Sequence, residues 1–522
     1  MTNLLEVKGK ELEDCFSHTV FEGFPYNFYD LKKPKFSDLE LRLIQYLKKA
    51  LLGQTITESK SVLTEGFPSS FFIDLKKELN EIEIIPDSIK GFPSEELTAV
   101  IEKILTNVVK KNFSSISNPK KVVLNAIDEG LGYSFISVFM RDSDLEEIMV
   151  NGLRKNVFVF HRKFGMCKTN VVINQEIELE RFLQKIAFYS GRKFDANNPL
   201  LDAKLPDGSR ANATNGFASP NGLTLTVRKF LPLPFSIVSL IEKGTLTSES
   251  AAFLWVMIEG INISPMNLII SGGTGSGKTT TLNVLTSFIR FDERIISIED
   301  TLELNLYGRE NWVQLEAKPP TKNIEELTMN HLLKNALRMR PDRLIVGEVR
   351  GKEAKTLFTA MDTGHEGCMG TVHANDSREL LLRLKSPPMS VPESMLPLLE
   401  LIVIQRRFYR KGVGVSRRIA QIAEVSRMEE NVLLSNLFEW DFQKDVLVRT
   451  NVPSGIIEKL ATAAGLTKKD LFQEITVRQR IIDWMQENKI KTAEEVERVI
   501  QQYYLNPKEI LQKIVDQDHE IM

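Results

Sequence analysis

Ile269-Ile270-Ser271-Gly272-Gly273-Thr274-Gly275-Ser276-Gly277-Lys278-Thr279-Thr280-Thr281-Leu282 is the stretch on which the reading of this chain turns. The apolar run 268–270 predicts a buried strand, the glycines a turn, and 280–289 has the periodicity of a helix. Gly272, four further residues and Gly277-Lys278-Thr279 complete a phosphate-binding loop in the strand–loop–helix setting it requires. Glycines let backbone N–H groups turn inward, and the helix N-terminus adds positive potential where a triphosphate would lie. The expected nucleotide contacts are Gly273, Thr274, Gly275, Ser276, Gly277, Lys278, Thr279 and Thr280. Lys278 reaches the β- and γ-phosphates in this scheme, and the Thr279 hydroxyl ligates Mg²⁺. The motif predicts a site for ATP or GTP.

A length of 522 residues leaves room for about three or four domains. Lys+Arg 67 against Asp+Glu 69 gives no global field toward nucleic acid. Cys15, Cys167 and Cys368 are far apart and form no CxxC pair, which argues against a disulfide framework or structural zinc and fits a reducing compartment. Charged residues follow Met1 within seven positions, so no signal peptide is expected, and the apolar runs are too short for a membrane span. Any work at a membrane is expected to depend on a partner.

Residues 1–118 read as a mostly helical adaptor. Ser37-Asp38-Leu39-Glu40 is a capping box, and Pro93-Ser94-Glu95-Glu96 a second helix start within 87–111. The lysine pairs at 32–33, 110–111 and 120–121 read as solvated faces. From 119 to 230 the pattern is α+β, with strands at 157–160 and 171–173 and a helix over 178–190. Arg210 follows a Pro-Asp-Gly turn, and Arg228 ends the alternating strand 223–227. Leu231-Pro232-Leu233-Pro234 opens a linker (231–246) stiff enough to act as a hinge strap.

The motor region is expected over 247–450. Ile295-Ile296-Ser297-Ile298 is a buried strand leading into Glu299, Asp300 and Glu303, carboxylates at the end where open α/β sheets bind ligands. Leu344-Ile345-Val346-Gly347-Glu348 is the next. Gly347 stands where an Asp ordinarily holds the metal's water shell, so Glu348 is the expected water-activating group, and Mg²⁺ leans on Thr279 and the acidic segment. Arg338, Arg340 and Arg343 cluster upstream, at least one of them a candidate for a neighbouring subunit's phosphates. His365 and His373 are eight apart without a zinc-binding spacing, so His373 reads as a γ-phosphate sensor rather than a metal ligand. Residues 401–450 read as strands and hairpins, and the tail 451–522 as helical, packing on the motor.

These motifs in this order resemble the type II/type IV secretion ATPase superfamily, the hexameric motors of type II secretion, type IV pili and archaella. Glu299 and Glu303 fall in a segment similar to its "Asp box", and His373 in one similar to its "His box". Leu145-Glu146-Glu147-Ile148-Met149-Val150-Asn151-Gly152 and Leu200-Leu201-Asp202-Ala203-Lys204-Leu205-Pro206-Asp207-Gly208-Ser209-Arg210 look like the domain preceding the motor. The likeness covers about residues 120–430 and is nearest in wording to tight-adherence pilus ATPases and their archaeal relatives. It departs from many pilus-extension and secretion ATPases in having no four-cysteine zinc insertion.

The resemblance implies a RecA-like α/β motor domain behind an α+β (PAS-like) domain and a helical N-terminal region. It implies a homo-hexamer, cytoplasmic and held to the membrane by a polytopic platform protein. Catalytic roles carry over to Glu348, Lys278, His373, Glu299 and Glu303, and to Arg210 and Arg228 as arginines that clamp the nucleotide when the strap closes. The implied work is assembly of a pilus-like filament or type II-like secretion. Rivals are an archaellum motor, a nucleic-acid transfer ATPase (opposed by the neutral charge, so no direct nucleic-acid contact is expected) and a non-hydrolysing scaffold with Glu348 idle.

Overall fold

A computed structural model describes residues 7–14, 17–32, 34–53, 63–81, 92–230, 235–306, 308–318, 325–410, 414–428 and 431–521. The chain forms two units, 1–232 and 233–522. The strap at 231–234 lies outside the described residues.

The first unit is built on a nine-stranded sheet of β1 (Val7–Asp14), β2 (His18–Phe24), β3 (Asn27–Leu31), β4 (Leu145–Val150), β5 (Asn156–His161), β6 (Gly165–Val172), β7 (Leu200–Lys204), β8 (Arg210–Thr214) and β9 (Thr224–Arg228), in the order β1-β2-β3-β6-β5-β4-β9-β8-β7. Alternation sets its faces: Val157 and Val159 are buried while their neighbours on β5 are not. The helix Glu176–Tyr189 lays Leu179, Phe182, Leu183 and Ile186 into the same core. Four helices, Asp38–Leu51, Ser69–Glu81, Glu95–Asn112 and Pro119–Gly130, share a separate core. The capping box at Ser37 is formed, its hydroxyl accepting from Glu40 N–H.

The N-terminal region differs from the helical expectation at 7–31. These residues are three strands, and β3 joins the sheet by parallel pairing with β6, Phe28 opposite Lys168. The partner is about 140 positions away, so local periodicity carries no sign of it. The linker expected over 231–246 also differs, because the helix Ile237–Glu242 puts Ile237, Val238 and Leu240 into the second unit's core.

The second unit carries β10 (Leu268–Gly272), β11 (Ile295–Glu299), β12 (Trp312–Glu316), β13 (Arg343–Val349), β14 (Met369–Val372), β15 (Leu401–Arg410), β16 (Gly414–Met428), β17 (Asn431–Asp441) and β18 (Val446–Arg449). The order is β12-β11-β13-β14-β10-β15-β16-β17-β18, parallel from β12 to β15 and antiparallel beyond. Parallel strands are covered on both faces, which explains why they read as unbroken apolar runs. Leu268 and Ile270 enter one core and Ile269 the other. The phosphate-loop strand therefore lies inside the sheet, with β14 on one flank and β15 on the other. The C-terminal helices Gly455–Ala463, Lys468–Glu487, Ala493–Leu505 and Pro507–Ile521 pack into the first of these cores. Among the described residues no helix is long and apolar enough to cross a membrane.

Candidate active site

The loop between β10 and the helix Lys278–Leu285 is folded as the motif demands. Gly277 caps the helix at φ +95°. Gly272 is obligatory for a different reason: a Cβ there would lie 2.1 Å from the Gln405 carbonyl oxygen and 2.7 Å from Ser276 Oγ. Ser276 is buried, Thr274 exposed, and Gly273, Gly275, Gly277, Thr279 and Thr280 half-buried. Lys278 is buried and donates from Nζ to the carbonyl oxygens of Gly272 (2.9 Å) and Gly273 (3.2 Å), which holds its ammonium over the loop.

Neighbouring parallel strands deliver Glu348 and His373 to this loop. Ser271 Oγ lies 3.0 Å and 2.9 Å from the carbonyl oxygens of Val372 and Ala374 and accepts the Ala374 N–H, gripping the backbone on both sides of His373. On β13, Val346 pairs with Gly370 but Val349 with Val372, so a bulge falls at Gly347-Glu348. Bulges re-aim side chains. Thr371 Oγ1 pins this one by donating to the Gly347 carbonyl at 2.6 Å.

Charge then ties the group together. Burial pushes the Glu348 carboxyl up, but its 2.6 Å bond to Arg350, with the Lys278 ammonium close enough to add to it, holds it below the ordinary carboxylate range. Glu348 is thus ionised at neutral pH. His373 is pushed down, first by burial and then by Lys278 and Arg383, so it is a neutral imidazole there. Arg350 also donates to Asp300 at 3.4 Å, with Glu303 within electrostatic reach.

Glu299 takes a supporting position. It is buried, and its Oε2 accepts the backbone N–H groups of Glu303 (2.6 Å) and Leu304 (2.9 Å). A Cβ at Gly347 would lie 2.8 Å from Glu299 Cγ, which accounts for glycine at that position. The Thr279 hydroxyl and the carboxylates of Asp300 and Glu303 offer the oxygen donors that suit Mg²⁺, but among the described residues Asp300, Glu303 and Glu348 do not gather into one ligand cluster.

Arg343 is buried at the start of β13 and paired with Glu293, so it anchors a strand instead of facing a neighbouring subunit. His365 and His373 flank opposite ends of β14, roughly 13 Å or more apart at strand rise, and cannot share a metal. Arg350, Gln405, Arg407 and Arg417 received no role from sequence. Arg350 alone had a local signal, lying two positions after Glu348, just past the end of β13. The others come from β15 and β16; Arg417 donates to the Gly275 carbonyl at 3.0 Å.

Arg210 and Arg228 belong to the first unit. They sit directly opposite each other on β8 and β9, with Lys204 beyond Arg210 and Glu147 beyond Arg228. Ala211 and Val227 alternate with them and point into the core, so this row occupies the opposite face. Glu147 lies 3.9 Å from Arg228.

A profile of the Type II/IV secretion system protein family matches residues 142–435. The chain belongs to this family of secretion ATPases. Among its relatives, the uncharacterized protein MJ0781 of Methanocaldococcus jannaschii is 31% identical, over 73% of this chain and 76% of its own. MJ0900 of the same organism is 36% identical, over 72% and 68%. The probable conjugal transfer protein TrbB of Sinorhizobium fredii is 30% identical, over 60% and 91%.

Proposed function

We propose that the chain is an ATP-hydrolysing motor that powers assembly of a pilus-like filament or type II-like export. The observation that carries this reading is the convergence of Lys278, Glu348 and His373 at the C-terminal ends of three adjacent strands, β10, β14 and β13. Such an arrangement binds a triphosphate at the loop and offers an ionised carboxylate where a water must be oriented. Lys278 exchanges its loop carbonyls for phosphate oxygens. Glu348 orients and deprotonates the attacking water, and neutral His373 donates to the terminal phosphate. Mg²⁺, held by Thr279 and the acidic segment, would neutralise the phosphate charge. Glu299 acts as a positioning residue for the backbone carrying Glu303.

Arg210 and Arg228 fit a clamp. Two guanidiniums directly opposite each other on a sheet can present paired forks of N–H donors to an oxyanion. In a homo-hexamer on the cytoplasmic side of a membrane platform protein, closure of such a clamp on ATP and its release after hydrolysis would be the power stroke. Replacing Lys278 by Ala in source cells tests the output. Loss of thin surface filaments with swimming intact supports filament assembly, and loss of swimming points to an archaellum motor. The likeness to TrbB favours conjugal transfer as the second reading, and stimulation of the ATPase by DNA would select it.

A further inference from the structure

We infer that Glu13, His161 and Lys163 form an acid-sensitive latch, in which protonation of His161 frees β1 from the turn between β5 and β6. The latch lies within the first unit and stands independently of the nucleotide reading.

Its geometry starts from strand order. β1 ends the sheet, and β5 is four steps away through β2, β3 and β6. In a flat sheet those steps would put roughly 19 Å between the two strands. Yet Glu13 on β1 lies 3.8 Å from His161 at the end of β5, and 3.1 Å from Lys163 in the turn that follows. The sheet therefore curls, and β1 carries the means. Its register against β2 shifts between Lys8 and Glu11 and again between Glu11 and Glu13. Such irregularities bend and twist a strand. Glu13 thus closes the curl by two contacts outside its own strand pairing.

His161 is completely buried, and its Nδ1 accepts the Lys163 backbone N–H at 3.1 Å. In the neutral ring the proton then sits on Nε2, which faces Glu13 Oε2. Both of these atoms are buried without a hydrogen bond. Glu13, Asp144 and His161 come close enough together to hold a metal ion. A metal on Nε2 would need the ring proton on Nδ1, however, where the Lys163 N–H already donates. The Lys163 ammonium also lies 3.1 Å from Glu13 and 3.5 Å from Asp144. The cluster is a proton site rather than a metal site.

Charging the ring puts a proton on Nδ1 and sets two N–H donors against each other, so the turn at 161–165 must rearrange. Burial pushes the His161 imidazole below its ordinary value, against the pull of Asp144, Asp142 and Glu13, and Lys163 adds to the lowering. Nearby, Arg162 is 3.9 Å from Glu146, and His18 on β2 faces Asp142 at 3.5 Å. The closed latch holds the His161 proton less tightly than an open one. Closure is therefore complete above the ordinary histidine value of about 6.5 and weakens as pH falls below it.

Hydrogen exchange on the full chain at pH 7.5 and 5.5 tests this, expressed as protection factors corrected for the intrinsic pH dependence of exchange. Peptides over 7–14 should lose protection several-fold at pH 5.5. The ceiling is about elevenfold, the factor by which an open histidine of pKa about 6.5 gains from proton binding there. Peptides over 224–228, in β9, should not change. His161→Gln keeps a donor but cannot charge, so it should remove the difference between the two pH values. Equal protection of 7–14 at both pH values overturns the inference. So does an equal loss over 224–228, which would mean unfolding of the whole sheet, or an undiminished pH difference in His161→Gln, which would assign the effect to His18. Should that variant fail to fold, histidine ¹⁵N NMR of the unaltered chain decides. His161 should be mostly neutral at pH 6.5 with its proton on Nε2, and a ring mostly charged at that pH overturns the latch.

Discussion

Arg309 and Glu497 are 188 positions apart in the chain and 3.2 Å apart in space, with side chains only 3% and 8% exposed. Arg309 also donates to the carbonyl oxygens of Thr286, Ile289 and Arg290, at the far end of the phosphate-loop helix. From the helix Ala493–Leu505, Gln501 bonds the Ile289 carbonyl and the Phe291 N–H, and Tyr504 donates to the Phe288 carbonyl. The C-terminal helices thus cap the carbonyl end of the helix whose N-terminus faces the nucleotide site.

Removing one partner of a buried pair leaves a buried charge behind. Glu497→Ala should cost on the order of 3 kcal/mol, read as a lower Tm of the second unit, and Glu497→Gln less. Burial raises the Glu497 carboxyl from 4.5 to about 7 against the opposing pull of Arg309. Because the folded state holds this proton more tightly than the unfolded one, stability should fall as pH rises from about 4.5 to about 7 and level off above. Denaturant midpoints across that range check this, and Glu497→Gln should flatten the dependence.

Lys278→Ala should abolish nucleotide turnover. Glu348→Gln keeps the shape of the site without its base, so it should bind ATP and lose about 10²-fold or more in hydrolysis. Near-normal phosphate release by the second variant would remove Glu348 as the water-activating group.

Arg350 holds Glu348 in its ionised form through the 2.6 Å bond. In Arg350→Ala the raising effect of burial loses its chief opponent. The acid limb of the kcat–pH profile should then move to higher pH. An unmoved limb would mean that another group sets it.

Gly347→Ala places a methyl group against Glu299 Cγ, 2.8 Å away. Overpacking of this kind costs about 1–3 kcal/mol. Because Glu299 fixes the backbone of Glu303 and Leu304, hydrolysis should fall more than ADP affinity does. Thermal melts and steady-state rates on the same preparation separate the two effects.

Some of this was legible in the residues themselves. The phosphate loop is a contiguous pattern, so its glycines, Lys278 and Thr279 declare their geometry without any partner. Glu348 and His373 could be selected because each closes or follows a short apolar run, and the helix starts at Ser37 and Ser94 because capping is local chemistry. Glu299 was visible as an acid at a strand end. Its inward-turned role was not, since that depends on Gly347 of a neighbouring strand.

The sequence by itself determined the strand–loop–helix unit, the acidic and histidine segments and the family, because each is encoded within a window of roughly a dozen residues. Only the tertiary structure decided that β15 flanks the loop, that β1–β3 extend the first unit's sheet, that Arg343 is an anchor, and that Arg309 meets Glu497. Those facts depend on strand order and packing between positions far apart in the chain, where the energy comes from burial and backbone pairing that many sequences can supply. Such contacts leave no spacing to read.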